Sequence, residues 1–536
     1  MRRTIVGIAA MAAISFSTLA QSAMDAYTLT PTELRGTARF VSMGGAFTSL
    51  GGDLSTLTQN PAGIGIYRHS DIGLGFDISI RSNETTTESD KISVNNTKAF
   101  FDNFGYVGVA KLSGTLRNFN WGVGYSRINS FDRRFKGYNA STGTSLSNYV
   151  ASFTQGIDSK NLLFGEDYNP YIDSSEDWLS VLAYNSLMIN NDGSNDSYAG
   201  LFQNGTMGDA LYEVHEWGYT DEYNIDFGGN VSDLVYWGLG VGIVDMNYQR
   251  EINYSESMEN ALVYDKATDG LTSGNAGFNL YNYKSMSGTG ANLKFGVIVR
   301  PLDFLRIGVA VHTPTWMHLN NVGYGEVTQY NYTPYTSRNT NSGREYTDDY
   351  DYNWRLNTPW RFMVGASAVI GSSAIISADY ERVAYNDMSM KYEDYSNWGS
   401  SYVKDDAMNA CIKDYFKAAN IFRVGLEYRI TPSFSARLGY NYQSETTREA
   451  ALDGRMAIST AGTDPSYSFN KSVNNICVGI GYRYQAWYID LAYQHTTRNS
   501  KFSAYTSNFA GYEGPTPTAE ISTKHNNIVL STGFRF

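Results

Sequence analysis

The chain is poor in several things at once. In 536 residues it has two cysteines, Cys411 and Cys477, and 11 prolines. Two cysteines cannot frame a disulfide scaffold, and they are expected to be buried and unpaired. Outside residues 1–20 there is no long unbroken apolar run, and mean hydropathy is -0.35. That excludes a helical membrane protein. Positive charge is in deficit, with 41 Lys and Arg against 53 Asp and Glu and a formal net charge of -12. So acidic a chain is a poor partner for nucleic acid. Helical periodicity is scarce. There is no Gly-Lys-Ser/Thr loop, nucleophile elbow, zinc spacing or readable carboxylate pair, so no enzyme, cofactor or metal is expected.

What the chain does have is tyrosine and glycine, 42 and 51 residues, with aromatics at 14%. Much Tyr and Gly at low hydropathy fits a transmembrane β-barrel, whose strands hide their apolar character in alternation. The N-terminus reads as a signal peptide over residues 1–20: Arg2 and Arg3, an apolar stretch from Ile5 to Leu19, then cleavage after Ala20. No cysteine follows, so it is not a lipoprotein signal.

From Asp71 onward the pattern has period two, the signature of strands. In Asn420–Ile430 one face carries Phe422, Val424, Leu426, Tyr428 and Ile430. The other carries Arg423, Gly425, Glu427 and Arg429. The polar faces are mostly Gly, Ser, Asn and Arg, as a lumen would be, and the apolar faces are aromatic near strand ends. Fourteen strands are counted: about 71–80, 103–112, 118–130, 222–230, 234–249, 287–300, 303–313, 358–370, 373–383, 420–430, 433–444, 474–484, 486–496 and 525–536. Short links alternate strictly with long ones, the longest being 131–221. This predicts an all-β fold: a 14-stranded antiparallel transmembrane barrel with short periplasmic turns and long external loops. Helical spacing is read at Leu146–Ile157, at Trp178–Ile189 and near Ser255–Lys266.

Residues 21–70 precede or adjoin the first strand and are not strand-like. Fourteen strands enclose a lumen too wide for wall side chains to fill. A compact, glycine-rich, weakly charged segment suits a plug. In it Asn60 can bond backbone locally, Pro61 fixes a turn, and Gly63 and Gly65 allow close approach to the wall. The domains expected are therefore a signal peptide (1–20), an N-terminal hatch (21–70) and a barrel (71–536).

"GTARFVSMGGAFTSLGGDLSTLTQNPAGIG" (Gly36–Gly65) resembles the N-terminal hatch of FadL/TodX-type outer-membrane transporters of hydrophobic compounds. The chain's end on Phe536 resembles the C-terminal signature read by the barrel-assembly machinery. The resemblance implies residence among the lipids of a Gram-negative outer membrane, and a hatch motif at Asn60, Pro61, Ala62 and Gly63. It also implies passive uptake of a small hydrophobic molecule such as a long-chain fatty acid. The ligand would leave sideways through the wall at a kinked strand. The third strand, 118–130, carries Gly122 and Gly124 and no proline.

Two ligand sites are considered, each beside a structural reading. Trp178, Leu179, Val181, Leu182, Tyr184, Leu187 and Met188 would form an outer groove, or else pack the loop onto the rim. Lumen arginines, Arg423 and Arg437 among them, would grip a carboxylate, or else form an ion-paired wall that anchors the hatch. Two other readings stand beside transport. One is a scaffold or secretion-system component that docks a protein partner through its external loops. The other is a haemin receptor, for which the six histidines show no ligand spacing.

Overall fold

The computed structural model describes residues 21–371, 373–394, 401–506 and 516–536. The expected signal peptide lies outside the described residues. Among them, no helix is long and apolar enough to cross a membrane.

Fourteen staves close into an antiparallel barrel. In chain order they are β1 (Asp71–Thr86), β2 (Lys91–Lys111), β3 (Leu116–Ser130), β4 (Met207–Val231), β5 (Val235–Asp265), β6 (Gly270–Leu302) and β7 (Leu305–His312). The rest are β8 (Arg361–Ile370), β9 (Ala374–Val383), β10 (Ala419–Arg429), β11 (Phe434–Gln443), β12 (Tyr467–Tyr484), β13 (Trp487–Ser503) and β14 (Thr518–Arg535). β1 closes on β14 with Asp71 opposite Arg535 and Thr86 opposite Glu520. Ser70 and Phe536 exchange two backbone hydrogen bonds at 3.0 Å, which joins the two ends of the barrel chain.

The outward faces are those read from the alternation. Phe422, Val424, Leu426, Tyr428 and Ile430 are all exposed, as are Leu239, Val241 and Ile243 on β5 and Ile72, Phe76, Ile78 and Ile80 on β1. A contiguous apolar belt around a closed barrel has no place in water; it is the surface a bilayer covers. Crossing needs only about 9–11 residues per strand. β5 and β6 run for 31 and 33 residues, so they stand well clear of the belt.

That height corrects the sequence reading. Stretches 81–102 and 250–286 were expected to be long loops. They are strand hairpins closed by Thr87–Asp90 and Lys266–Asp269. The helix expected near Ser255–Lys266 is strand as well. The β5–β6 register shifts between Met258 and Ala261, so the buried face passes from Tyr254 and Met258 to Ala261 and Val263. One bulge makes two in-phase runs look like helical spacing. The helical spacings in 131–221 do form helices, Leu146–Thr154 and Trp178–Asn185. Cys411 and Cys477 are both free thiols, Cys477 buried and Cys411 partly so.

Beyond Pro314 and Pro359, which lack the N–H a ladder needs, β7 and β8 are continued by the strands Trp316–Pro334 and Tyr350–Asn357.

Candidate functional site: the hatch, the lumen and a break in the wall

The N-terminal segment fills the lumen in two parts. Helix α1 (Ala23–Leu29) sits toward the end with the long connections. Its start is held by a reciprocal cap between Ser22 and Asp25. Asp25 accepts from Lys284 Nζ at 2.9 Å, and the Tyr27 ring stacks on Phe416 with centroids 4.5 Å apart. The chain then descends to a compact hatch, with helices α2 (Ala38–Ser42) and α3 (Thr56–Gln59) and a tight turn over Pro61–Ile66.

Hatch apolar side chains bury against the wall. Phe40, Met43, Phe47 and Leu50 pack with Cys477, Ala492 and Val529, and Leu54, Leu57 and Ile64 pack with Val107. Asn60 is fully buried. Its Nδ2 donates to Thr48 O at 2.5 Å, and its Oδ1 accepts from Ala62 N at 3.0 Å. One side chain thus joins two hatch turns and caps the Pro61 turn.

Wall glycines make room for this. A Cβ on Gly296 of β6 would stand 1.8 Å from Asn60 Oδ1, and one on Gly439 of β11 would stand 2.1 Å from Gly44 N. Gly65 lies against the wall at Gly229 of β4, whereas Gly63 packs inside the hatch against Thr56 and Gly51.

The lumen charges are mostly paired, and several pairs tie hatch to wall. Arg39 of the hatch donates to Glu427 at 2.8 Å, and Thr48 N donates to Asp379 at 2.8 Å. Arg437 bridges Glu427 and Asp490. Arg423 and Arg361 share Glu381, Lys294 pairs with Glu222, and Arg535 pairs with Asp71. Arg437 is therefore committed to the wall. Arg423, also ion-paired, still lines a lumen cavity above the hatch.

The wall itself is interrupted. β2 and β3 pair only from Asn103–Ser126 down to Lys111–Asn118. Above that level β2 is paired to β1 alone and β3 to β4 alone. Two bulges cause the parting. Asn103 faces Gly75 and Phe101 faces Phe76, which leaves Asp102 unpaired and turned inward. On β3 the register shifts between Arg127 and Asn129. The chain then turns into the lumen as the strand Arg133–Ala140. Its carbonyls accept from the inner face of β1 and from the turn that follows it: Asn83 Nδ2 of β1 reaches Arg134 O at 2.8 Å, and Thr87 Oγ1 of the turn reaches Tyr138 O at 2.6 Å. Bulges, rather than a proline, make the departure.

Side chains occupy the break. The Phe100 ring lies between two guanidinium groups, Arg35 at 5.4 Å and Arg127 at 5.3 Å from its centroid. Arg127 is held by Asp221. Arg35 Nη1 donates to Asp77 at 2.8 Å and Asp102 at 2.6 Å, and Asp102 also accepts from Gly36 N at 3.0 Å. The inner side of the break faces the cavity that Arg423 lines. That cavity is bordered by Glu33, Arg35, Arg127 and Ile128 here and by Tyr27, Phe40 and Gln59 toward the hatch. Outside, Phe76, Phe101, Tyr125 and Tyr223 make successive ring contacts across four staves.

Sequence reasoning did not single out Arg35, Phe100, Asp102 or Arg127. Two signals were there: Arg35 directly precedes the quoted hatch motif, and "FFDNF" breaks the alternation of β2 at Asp102.

The proposed outer groove is not an open site. Leu179, Val181, Leu182 and Met188 are buried in a core built from both loop helices and the upper strands, with Trp178, Tyr184 and Leu187 packed against it. Packing is the reading the contacts favour. The lumen histidines hold protein groups: His312 bonds Gln59 O and His525 bonds Ser79 Oγ.

No family model and no curated protein matches the chain. Solved structures do. A Pseudomonas aeruginosa FadL homologue superposes with TM-score 0.50 at 12% identity, covering 95% of this chain and 99% of that one. The P. putida toluene transporter TodX gives 0.47 at 14% identity, covering 94% and 99%. The Ralstonia pickettii toluene transporter TbuX gives 0.46 at 13% identity, covering 94% and 99%. At these identities the likeness is one of fold, and the chain has the FadL-type fold: a fourteen-stranded barrel closed around its own N-terminal hatch.

Proposed function

We propose that this protein is an outer-membrane channel for the passive uptake of small hydrophobic molecules, gated by its hatch. The observation that carries the reading is the break between β2 and β3. It lies in the upper part of the apolar belt on β1 and borders a lumen cavity just above the hatch. A hydrophobic solute that reached the cavity would find lipid beside it and the hatch below. Nothing in the arrangement calls for catalysis or an energy source. The likeness in fold to the FadL homologue agrees with this direction.

The test is uptake of radiolabelled toluene and of a fatty acid into cells that express the full chain, against cells with the empty vector. Accumulation above the control supports the channel. Control-level accumulation of both, with the barrel correctly assembled, counts against it.

A second reading has one observation of its own. Leu163, Phe164 and Ile172 are exposed in the large outer insertion, at 45%, 52% and 70%. Such a patch suits capture of a partner or of the solute. Deleting residues 145–190 separates the two: loss of a bound protein with uptake retained favours the scaffold.

A further inference from the structure

Helix α1 starts just after the point where the sequence places the end of the signal peptide. Cleavage after Ala20 makes Gln21 the first residue of the exported chain. A glutamine in that position has a chemistry of its own. Its α-amine and its side-chain amide belong to one residue, so their encounter is intramolecular. The neutral amine nitrogen attacks Cδ and the Cδ–Nε2 bond breaks. Nε2 takes a proton from the amine and leaves as ammonia. The product is the pyroglutamyl lactam, and no oxidant, reductant or cofactor is consumed.

The place that Gln21 occupies suits that product. Gln21 is 2% exposed and directly precedes Ser22, the cap of α1. Met24 and Tyr27 of α1 share one core with Met408 and Ile412 of the loop helix Asp406–Tyr415. The side chain of Gln21 lies beside Asp405, which caps that loop helix. Asp405 Oδ1 accepts from Met408 N at 2.9 Å. Among the described residues, Asp405 Oδ2 has no hydrogen-bond partner, and neither have Nε2 and Oε1 of Gln21. Buried polar atoms are nearly always bonded, so three orphans side by side mark a place where the finished chain differs in chemistry.

An open N-terminus would put an ammonium there. Burying one charge is costly, and pairing it with Asp405 would bury two. Two helix starts also meet at this point, and their positive ends oppose a further cation. The lactam removes the charge, discards the amide nitrogen that lacks an acceptor, and keeps one neutral N–H to donate toward Asp405 Oδ2. We propose that Gln21 is a modification site: the exported chain closes to pyroglutamate at its first residue, and this neutral end seats α1 against Asp405. Closure precedes folding, because the folded barrel buries Gln21. The claim concerns processing and does not depend on what the channel carries.

The test is the N-terminal peptide of the full protein, purified from the outer membranes of the cells that make it. Mass spectrometry should find a peptide that begins at Gln21 and is lighter by one ammonia than the free-amine form, with Edman degradation blocked. A peptide that begins at Gln21 with a free amine overturns the lactam. A peptide that begins elsewhere overturns the site. The variant Gln21→Ser keeps a free amine and is checked for assembly by its heat-modifiable migration. Thermolysin should cut its residues 22–30 about tenfold faster than those of the native barrel. Equal rates overturn the seat at Asp405. Should the variant fail to assemble, the peptide of the native chain still decides the modification.

Discussion

Asp102 Oδ1 lies 2.6 Å from Arg35 Nη1, with both side chains 2% exposed. The first residue is the bulge that parts β2 from β3, and the second leads into the hatch. The contact therefore ties the state of the wall to the state of the plug. Removing one partner of a buried pair costs about 3–5 kcal/mol. Asp102→Asn should lower the unfolding midpoint of the barrel and raise its conductance in planar bilayers. Unchanged conductance would separate the bulge from the hatch.

Asn60 is the hatch's internal tie. Asn60→Ala removes its bonds to Thr48 O and Ala62 N, each worth about 1 kcal/mol. The barrel should still assemble, with normal heat-modifiable migration, while solute uptake changes. Pro61→Ala should act in the same direction and more weakly. Unchanged uptake in both variants would mean that the hatch does not gate.

Gly439 and Gly296 give a steric version of the same test. A methyl group on Gly439 meets Gly44 N at 2.1 Å, a backbone atom that can yield only if the hatch moves. Gly439→Ala should displace the hatch and raise leak, whereas Gly277→Ala, whose Cβ meets nothing nearer than 3.6 Å, should not. Proteolytic susceptibility of residues 36–66 reads the displacement.

Above the belt, Glu256 accepts from Leu146 N at 2.8 Å, Tyr254 Oη at 2.6 Å and Ser145 Oγ, and so holds the start of the helix Leu146–Thr154. Burial pushes its carboxyl up to about 7 against the three hydrogen bonds that favour the anion. A carboxyl whose folded pKa is raised binds more protons folded than unfolded. Its stabilising contribution is full below the unfolded carboxyl range near 4.5 and is lost as pH rises through about 7. Amide exchange of Leu146–Thr154, corrected for intrinsic rate, should be more protected at pH 5.5 than at pH 8, and Glu256→Gln should flatten that dependence.

The belt strands were legible because lipid on one side and a polar lumen on the other enforce alternation. Fourteen staves and their short turns follow from that constraint alone. It lapses above the belt, where "SNETTTESDKISVNN" pairs as β1–β2 with no apolar face to announce it. The hatch motif placed Asn60 and Pro61 in the sequence. It could not place Arg35 against Asp102, because their meeting depends on a bulge whose only trace is one residue out of phase. The loop helices were visible as spacing. Their burial was not, since an apolar stripe looks the same whether it faces a ligand or a neighbouring strand.

Leu54 Cβ stands 3.3 Å from the position of a Cβ on Gly105 of β2, close to the separation a disulfide spans, about 3.5–4.5 Å. The variant Leu54→Cys/Gly105→Cys would lock the hatch to the wall reversibly. Uptake of radiolabelled toluene into liposomes that hold this variant, oxidised and then reduced, is the most direct measurement of the gate. Uptake blocked by oxidation and restored by reductant is the result expected of a hatch-gated channel. Equal uptake in both states, with the disulfide confirmed by mass spectrometry, would contradict it.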